Sequence, residues 1–98
     1  MLVVKAELKV KPDKKAELFL LAKDVIAATR AEEGCVSYSL MDDPHDPCAC
    51  AFIEEWVDKA ALQRHFATPH LAEWRKKSTE LLTGKPVIKL YQAEETTL

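Results

Sequence analysis

The chain has 98 residues, with 14 Lys or Arg against 16 Asp or Glu, and a formal net charge of -2 at pH 7. This length and a hydrophobic content of 48% indicate one globular domain, too short for two cores and too apolar for a disordered chain. Interspersed charges argue against nucleic acid as a partner, and no apolar run could span a membrane. With no signal peptide at the start and an odd number of cysteines, the expected location is the reducing cytoplasm.

The first third of the chain predicts a strand followed by a helix. Residues 2–10 alternate between apolar and charged side chains, a period of two that is typical of a strand with one buried face. Pro12 is expected to start a helix over residues 13–33, because a proline is tolerated in a first turn, and Gly34 is expected to end it. Apolar positions at three- and four-residue steps form the buried stripe of this helix: Leu18, Leu21, Ala22, Val25, Ile26 and Thr29.

The rest of the chain predicts three strands, two helices and a tail. Asp58 is expected to cap a short helix, and Thr68-Pro69 to begin a second helix that runs to about Leu82. Alternating or apolar segments bounded by turn residues indicate the strands. These strands cover residues 35–41, 48–56 and 86–93, with a turn at 42–47 and a frayed tail at about 94–98.

The order of these elements indicates an α+β fold. Strand, helix, strand, strand, two helices and strand is the order of the ferredoxin-like split βαβ arrangement, with helices on one face of an antiparallel sheet. We expect residues 1–98 to form this single domain. The other sheet face would carry Val3, Lys5, Val87 and Tyr91, too apolar for open water and too polar for a core. A homodimer through that face is therefore predicted.

Two histidines fall where the predicted helices face the core. His65 lies between Ala61 and Leu62 around the short helix, and His70 stacks with Trp74 four residues further on. Each could be a structural histidine whose ring is satisfied by a carboxylate or a carbonyl. Alternatively, the two form a general acid/base site in an apolar pocket whose aromatic walls suit a flat ring substrate. The second interpretation requires both imidazoles to line one enclosed pocket beneath the sheet.

Glu54 is the candidate partner for these histidines. It shares a strand face with Phe52 and Trp56, so it is either a surface residue or a carboxylate that fixes a histidine tautomer and raises its basicity. Strand alternation alone does not say which face meets the helices. A pair between Glu54 and His65 within one subunit requires the helix-facing side.

The sequence predicts neither a metal site nor a cofactor site. Cys48 and Cys50 share a strand face near His45, Asp42 and Asp46, but no second pair of Cys or His residues has ligand spacing. A chain with only two glycines has no Gly-rich phosphate loop, and no serine lies in a nucleophile elbow.

A string of residues across the helix pair resembles a known family. It reads Glu54-x-Trp56-x-x-x-Ala60-Ala61-Leu62-x-x-His65-x-x-Thr68-Pro69-His70. Two earlier segments match as well, Lys9-Val10-Lys11-Pro12 and Arg30-Ala31-Glu32-Glu33-Gly34-Cys35. Together they resemble the antibiotic-biosynthesis monooxygenase (ABM) family over about residues 2–92. The resemblance implies a dimeric α+β barrel of two ferredoxin-like subunits packed sheet to sheet.

The resemblance also limits the reactions that this chain is expected to catalyse. Family members include cofactor-free oxygenases of quinols and polyketide phenols, haem-degrading enzymes and an isomerase of a phosphorylated sugar. The haem-degrading branch uses an Asn, a Trp and a His, and the phenol oxygenases an Asn and a Trp. This sequence has no Asn: Ala6 stands about where that residue would lie, and Arg75 about where the haem-ligating His would be. The chain is most similar to the small quinol monooxygenases.

The resulting hypothesis is a cofactor-independent monooxygenase that oxidises a quinol or related dihydroxyaromatic with O2. His65 would act as the base, oriented by Glu54, and His70 would donate to the developing oxyanion. The expected substrate-binding residues are Trp74, Phe66, Trp56 and Ala6.

Two other functions stay open at this stage. The first is an isomerase of a small, phosphorylated or unphosphorylated, carbonyl compound, with Lys5, Arg64 or Arg75 as a cationic anchor. The second is a dimeric ligand-binding module without catalysis.

Overall fold

The computed structural model describes residues 1–98 as one four-stranded sheet with helices on one side. The strands are antiparallel and ordered β2-β3-β1-β4, which confirms the predicted ferredoxin-like α+β fold. None of the helices is both long and apolar enough to cross a membrane. The elements in chain order are β1 (Leu2–Lys9), α1 (Lys15–Arg30), β2 (Cys35–Asp42), β3 (Ala49–Trp56), α2 (Lys59–Phe66), α3 (Pro69–Ser78), a 3-10 turn (Thr79–Leu81) and β4 (Val87–Gln92).

The core lies between the helices and the two central strands, β1 and β3. Alternate side chains of both strands are buried, because a period of two turns every second residue toward the helices. The helix α1 contributes the predicted stripe, of which Leu18, Ala22 and Val25 are buried, while Leu20 on the opposite side is 65% exposed. The alternation of β3 therefore decides that Glu54 faces the helices.

Two helix boundaries differ from the predictions, and β2 is irregular near its start. The helix α1 begins at Lys15 and not directly after Pro12, because Asp13 adopts a left-handed φ of 65° and turns the chain first. The last helix is α-helical only to Ser78 and tightens into the 3-10 turn. An irregularity in β2 between Cys35 and Ser37 leaves Val36 exposed, whereas Tyr38, two residues further on, is buried.

Edge strand β4 is exposed on both faces. Ile88 and Leu90 pair with inward residues of β1, but no helix covers them. Val87 and Tyr91 lie on the opposite face with Val3, as the sequence predicts. That outer face is interleaved with charge: Lys5 and Lys89 lie opposite one another, and both contact Glu7.

Candidate functional site

One carboxylate joins the two predicted histidines. Oε2 of Glu32 lies 2.7 Å from Nδ1 of His65 and 2.6 Å from Nε2 of His70. A carboxylate oxygen only accepts hydrogen bonds, so each imidazole donates an N–H to it. The shared acceptor fixes one tautomer of each ring: His65 keeps Nε2 free of its proton when neutral, and His70 keeps Nδ1 free.

The turn after α1 positions Glu32. This turn is tied down by backbone hydrogen bonds from the Glu32 N–H to the Thr29 carbonyl (3.0 Å) and from the Val57 N–H to the Gly34 carbonyl (2.9 Å). Gly34 has a φ of +87°, and a Cβ there would lie 2.6 Å from the Cβ of Ala61 on α2. Only glycine lets the turn approach α2 this closely, so Gly34 helps to set the distance between Glu32 and His65.

The junction of α2 and α3 positions the histidines. Thr68 is the N-cap of α3: its Oγ1 accepts from the Leu71 N–H (3.4 Å) and donates to the His65 carbonyl (2.7 Å). Pro69 occupies the first turn of α3, as predicted, and His70 follows it. One hydroxyl thus links the end of α2, which carries His65, to the start of α3, which carries His70.

His65 is an interior residue. It is 1% exposed, and its ring centroid lies 4.8 Å from that of Trp56 and 5.5 Å from that of Tyr38. Burial lowers the pKa of His65, since a charged ring would lose its hydration, and the hydrogen bond to Glu32 opposes that shift. Burial therefore favours the neutral imidazole of His65.

His70 lies at the surface end of the network. Its side chain is 25% exposed and lines a groove of about 220 Å³ between α1 and α3. Trp74 lies beside it, and Leu21 and Val25 of α1 form the opposite apolar wall. The charged residues at this groove include Glu73 and Lys77, which pair with each other at 3.0 Å.

The structure corrects the expected partnership of Glu54. Its Oε1 accepts a hydrogen bond from the indole Nε1–H of Trp56 at 2.9 Å, and no hydrogen bond joins it to His65. The reason is local: Glu54 and Trp56 are two apart on one strand face, so their side chains meet before the carboxylate reaches α2. Burial raises the pKa of Glu54 to about 7.

The structure also corrects the expectation of one enclosed pocket shared by both imidazoles. Trp56 and Ala6 are buried, and neither lines the groove beside His70. Phe66 is partly exposed, but Arg75 stacks over its ring at 5.5 Å from the centroid. Side chains fill the space around His65, and the groove is lined by His70 and Trp74 without it.

Sequence reasoning missed Glu32 as a site residue. It lies in the turn that ends the first helix, 33 and 38 residues before the two histidines, and neither strand nor helix periodicity applies there. The one signal that includes it is the family-like segment Arg30-Ala31-Glu32-Glu33-Gly34-Cys35.

The structure also brings together three side chains that could ligate a metal ion: Glu32, His65 and His70. Their ligand atoms all lie within 4.8 Å of one another. By contrast, the cysteines considered from the sequence, Cys48 and Cys50, are free thiols that the structure does not bring to these histidines.

Comparison with known proteins assigns the family. The sequence model described as "Antibiotic biosynthesis monooxygenase" (ABM) matches residues 1–77. The chain belongs to the ABM family. The site of Glu32 and the two histidines lies wholly within the matched residues, so it belongs to the family domain of this ABM protein.

Individual relatives agree with this assignment. The ABM chain is 42% identical to the protein sll1783 of Synechocystis sp. over 97% of its own length, and it spans 65% of that relative. It is 35% identical to "Putative monooxygenase YcnE" of Bacillus subtilis, covering 86% of this chain and 88% of that one. A crystal structure of an antibiotic biosynthesis monooxygenase superposes with a TM-score of 0.87 and 33% identity, covering 97% of this chain and all (100%) of the other.

Proposed function

We propose that this ABM protein is a cofactor-independent monooxygenase that oxidises a small quinol or related dihydroxyaromatic with O2. The observation that carries the proposal is the Glu32–His70 pair, whose His70 lines a groove together with Trp74. A quinol anion is electron-rich enough to reduce oxygen itself, so the protein must supply a base, a partner for the resulting charge and a site for the ring.

The reaction balances without an added reductant. A dihydroxynaphthalene with an unsubstituted ring carbon plus O2 gives a hydroxynaphthoquinone plus water. One oxygen atom enters the ring, the other leaves as water, and the ring supplies all four electrons. The first step, removal of a phenolic proton, is the step that a positioned imidazole accelerates, by about 10²–10⁴-fold in typical enzymes.

His70 is better placed than His65 to be this base. The Nδ1 of His70 makes no hydrogen bond in the structure, and its side chain reaches the groove. His65 is buried among aromatic rings, so a bound ring in the groove does not contact it. The expected roles are therefore revised: His70 takes the proton, and His65 holds Glu32 in position from the other side.

Glu32 stabilises the charge that proton transfer creates. When His70 becomes an imidazolium, its Nε2–H faces the Glu32 carboxylate at 2.6 Å. A charge-assisted hydrogen bond of this kind is stronger than a neutral one. The buried His65 donates to the same oxygen, which keeps the carboxylate aimed at His70.

The groove suits a small flat ring. Its volume of about 220 Å³ lies below the range of about 300–1,000 Å³ typical of sites for drug-sized ligands. Its apolar walls are the indole of Trp74 and aliphatic side chains of α1, and its charged lining residues are Asp24, Glu73 and Lys77. One or two fused rings fit these dimensions better than a larger polycyclic substrate.

The test is oxygen uptake by chelator-treated protein with a panel of benzene and naphthalene quinols, corrected for quinol autoxidation. We expect wild-type protein to accelerate uptake, and 18O2 to place one labelled atom in the product. His70→Gln should reduce the rate by about 100-fold, because Gln cannot accept and carry the proton at this position. His45→Gln is the matched control, since His45 lies in the exposed β2–β3 turn and should leave the rate unchanged.

Full activity of the His70→Gln variant, or a product without 18O, would contradict the proposal. Turnover of a carbonyl substrate without oxygen would favour the isomerase alternative. That alternative requires a free cation at the groove, whereas Lys77 there is paired with Glu73.

We also propose that the protein works as a homodimer in the cytoplasm, built through the outer face of the sheet. The support is the exposed Val87 and Tyr91 on that face, together with the two lysines that flank Glu7.

A further inference from the structure

We propose that Glu32, His65 and His70 form a binding site for one divalent transition-metal ion of the class that prefers imidazole and carboxylate ligands, such as Zn²⁺ or Co²⁺. Two imidazole nitrogens and one carboxylate oxygen are ligands that such ions prefer. Mg²⁺ and Ca²⁺ prefer all-oxygen sites, so they are not the expected occupants.

The donor atoms are already close to a ligating arrangement. All three lie within 4.8 Å of one another, and each nitrogen is less than 3 Å from the carboxylate oxygen. Ligands of a tetrahedral zinc site, with bonds of about 2.0–2.1 Å, lie about 3.3 Å apart. To bind an ion through these nitrogens, each neutral ring must carry its proton on its other nitrogen, Nε2 of His65 and Nδ1 of His70. The donors then need shifts of about 1–1.5 Å or less.

The elements that carry the donors allow this adjustment. His65 is buried, and backbone hydrogen bonds hold the turn of Glu32, which gives the ion two preset ligands. His70 lies in the first turn of α3 with a quarter of its side chain exposed, so its ring can rotate toward the ion. Three protein ligands leave at least one coordination position for water or another small ligand, as in open metal sites.

The other cluster of potential ligands is occupied by a side chain of the protein itself. Nζ of Lys15 lies 2.6 Å from Asp42 Oδ1 and also contacts the carbonyl oxygens of Asp43 and Asp46. An ammonium group thus already satisfies the oxygens of the β2–β3 turn, close to His45. Variants of this turn therefore serve as controls for adventitious metal binding.

The experiment is a titration of the metal-free, reduced protein with Zn²⁺ in competition with a chromogenic chelator. We expect one Zn²⁺ per chain, and at least 10-fold weaker binding in His70→Gln and in Glu32→Gln. Co²⁺ in place of Zn²⁺ should give visible absorption bands that the His70→Gln variant lacks. The variants His45→Gln and Cys48→Ser should bind as the wild type does, because neither residue belongs to the site.

Several outcomes would overturn the site. These are failure of the wild-type protein to retain Zn²⁺ against the chelator, equal binding by the folded His70→Gln variant, or loss of binding in His45→Gln or Cys48→Ser. His70 is partly exposed, so we expect the His70→Gln variant to fold. Circular dichroism of the metal-free variant checks this independently of metal binding. Should Glu32→Gln fail to fold, His70→Gln and the Co²⁺ spectrum still decide the question.

One consequence rests on the proposed function. A bound ion would occupy the carboxylate and both imidazoles, so Zn²⁺ should inhibit quinol-dependent oxygen uptake, and chelator should restore it. Activity that appears only with metal would overturn the cofactor-independent mechanism and leave the metal site intact. Absence of Zn²⁺ binding in an active, chelator-treated protein would overturn the metal site alone.

Discussion

Three ionisable side chains show how burial, more than residue type, sets the chemistry of this protein. Glu54 faces the core beside Trp56, His65 is enclosed by aromatic rings, and His70 opens onto a groove. Burial raises the pKa of Glu54 and lowers that of His65, because it disfavours the charged form of each. Only the partly exposed His70 combines a carboxylate partner with access to a ligand.

At the residue scale, the raised pKa of Glu54 predicts a pH-dependent gain in stability for Glu54→Gln. Below about pH 4.5 the carboxyl is neutral in both folded and unfolded chains, so the variant and the wild type should unfold alike. Between pH 4.5 and 7 the unfolded chain loses the proton first, and the wild type loses stability as the pH rises. Because the pKa rises to about 7 from an ordinary 4.5, Glu54→Gln should be about 3 kcal/mol more stable above pH 7.5.

Urea unfolding of both proteins from pH 4.5 to 8 measures this difference. The wild-type curve alone does not isolate the contribution of Glu54, because His65 also makes the stability depend on pH. Since the pKa of His65 is lowered in the folded protein, its contribution to stability is lost as the pH falls, opposite to that of Glu54. Gln keeps the carbonyl oxygen that accepts from Trp56, so the core hydrogen bond is retained. A difference that does not change with pH would refute the assigned burial of Glu54.

The two glycines of the chain share a backbone conformation but differ in their surroundings. Both have a φ of +87°, but a Cβ at Gly34 meets Ala61 and one at Gly84 meets nothing within 4 Å. We expect Gly84→Ala to cost about 1 kcal/mol from backbone strain alone. Gly34→Ala should cost at least about 2 kcal/mol, because the turn or α2 must also move. Equal losses in chemical denaturation would show that the turn does not pack against α2 as described.

At the scale of elements, the junction between α2 and α3 links stability to the site. Thr68 caps α3 and also binds the carbonyl of His65, so a single hydroxyl fixes the angle at which both histidines approach Glu32. The turn after α1 supplies the third group from a separate element. The site therefore depends on how three elements meet, and no one element contains it.

This arrangement predicts that Thr68→Ala destabilises the fold by about 1–2 kcal/mol, through loss of the N-cap and of the bond to His65. Thr79→Ala is the matched control: the Thr79 hydroxyl donates to the Arg75 carbonyl at an exposed position, so its loss should cost less than about 0.5 kcal/mol. Thermal unfolding monitored by circular dichroism compares the two variants. A smaller loss for Thr68→Ala than for Thr79→Ala would rule out the junction as the connecting element.

At the scale of the whole molecule, the sheet is covered by helices on one face only. The outer face presents half-exposed Tyr91 and Val87 next to Val3, alongside the Lys5–Glu7–Lys89 ion pairs. Aromatic side chains such as Tyr91 are enriched at protein–protein interfaces, and complementary charges fix the register of the partners. The homodimer stays a prediction with a direct test.

We expect sedimentation at micromolar concentration to give twice the chain mass for the wild type and one chain mass for Tyr91→Glu, which would place a carboxylate in the interface. Leu20→Glu is the control, because Leu20 is exposed on α1, away from the sheet. It should sediment as the wild type does. A monomeric wild-type protein, or a monomer produced only by Leu20→Glu, would contradict the predicted interface.

Four features could be predicted from the amino-acid order: the order of the elements, the buried faces of β1 and α1, the cap at Thr68 and the family. Each follows from a periodicity, a turn residue or a string of neighbours, all of which are local properties of a chain. The tertiary structure alone decided that Glu32, and not Glu54, binds the histidines, and that His65 is enclosed while His70 reaches a groove. Periodicity indicates which side of an element faces the core. Which side chains meet there depends on how a turn, two helices and a strand pack, and no local pattern records that.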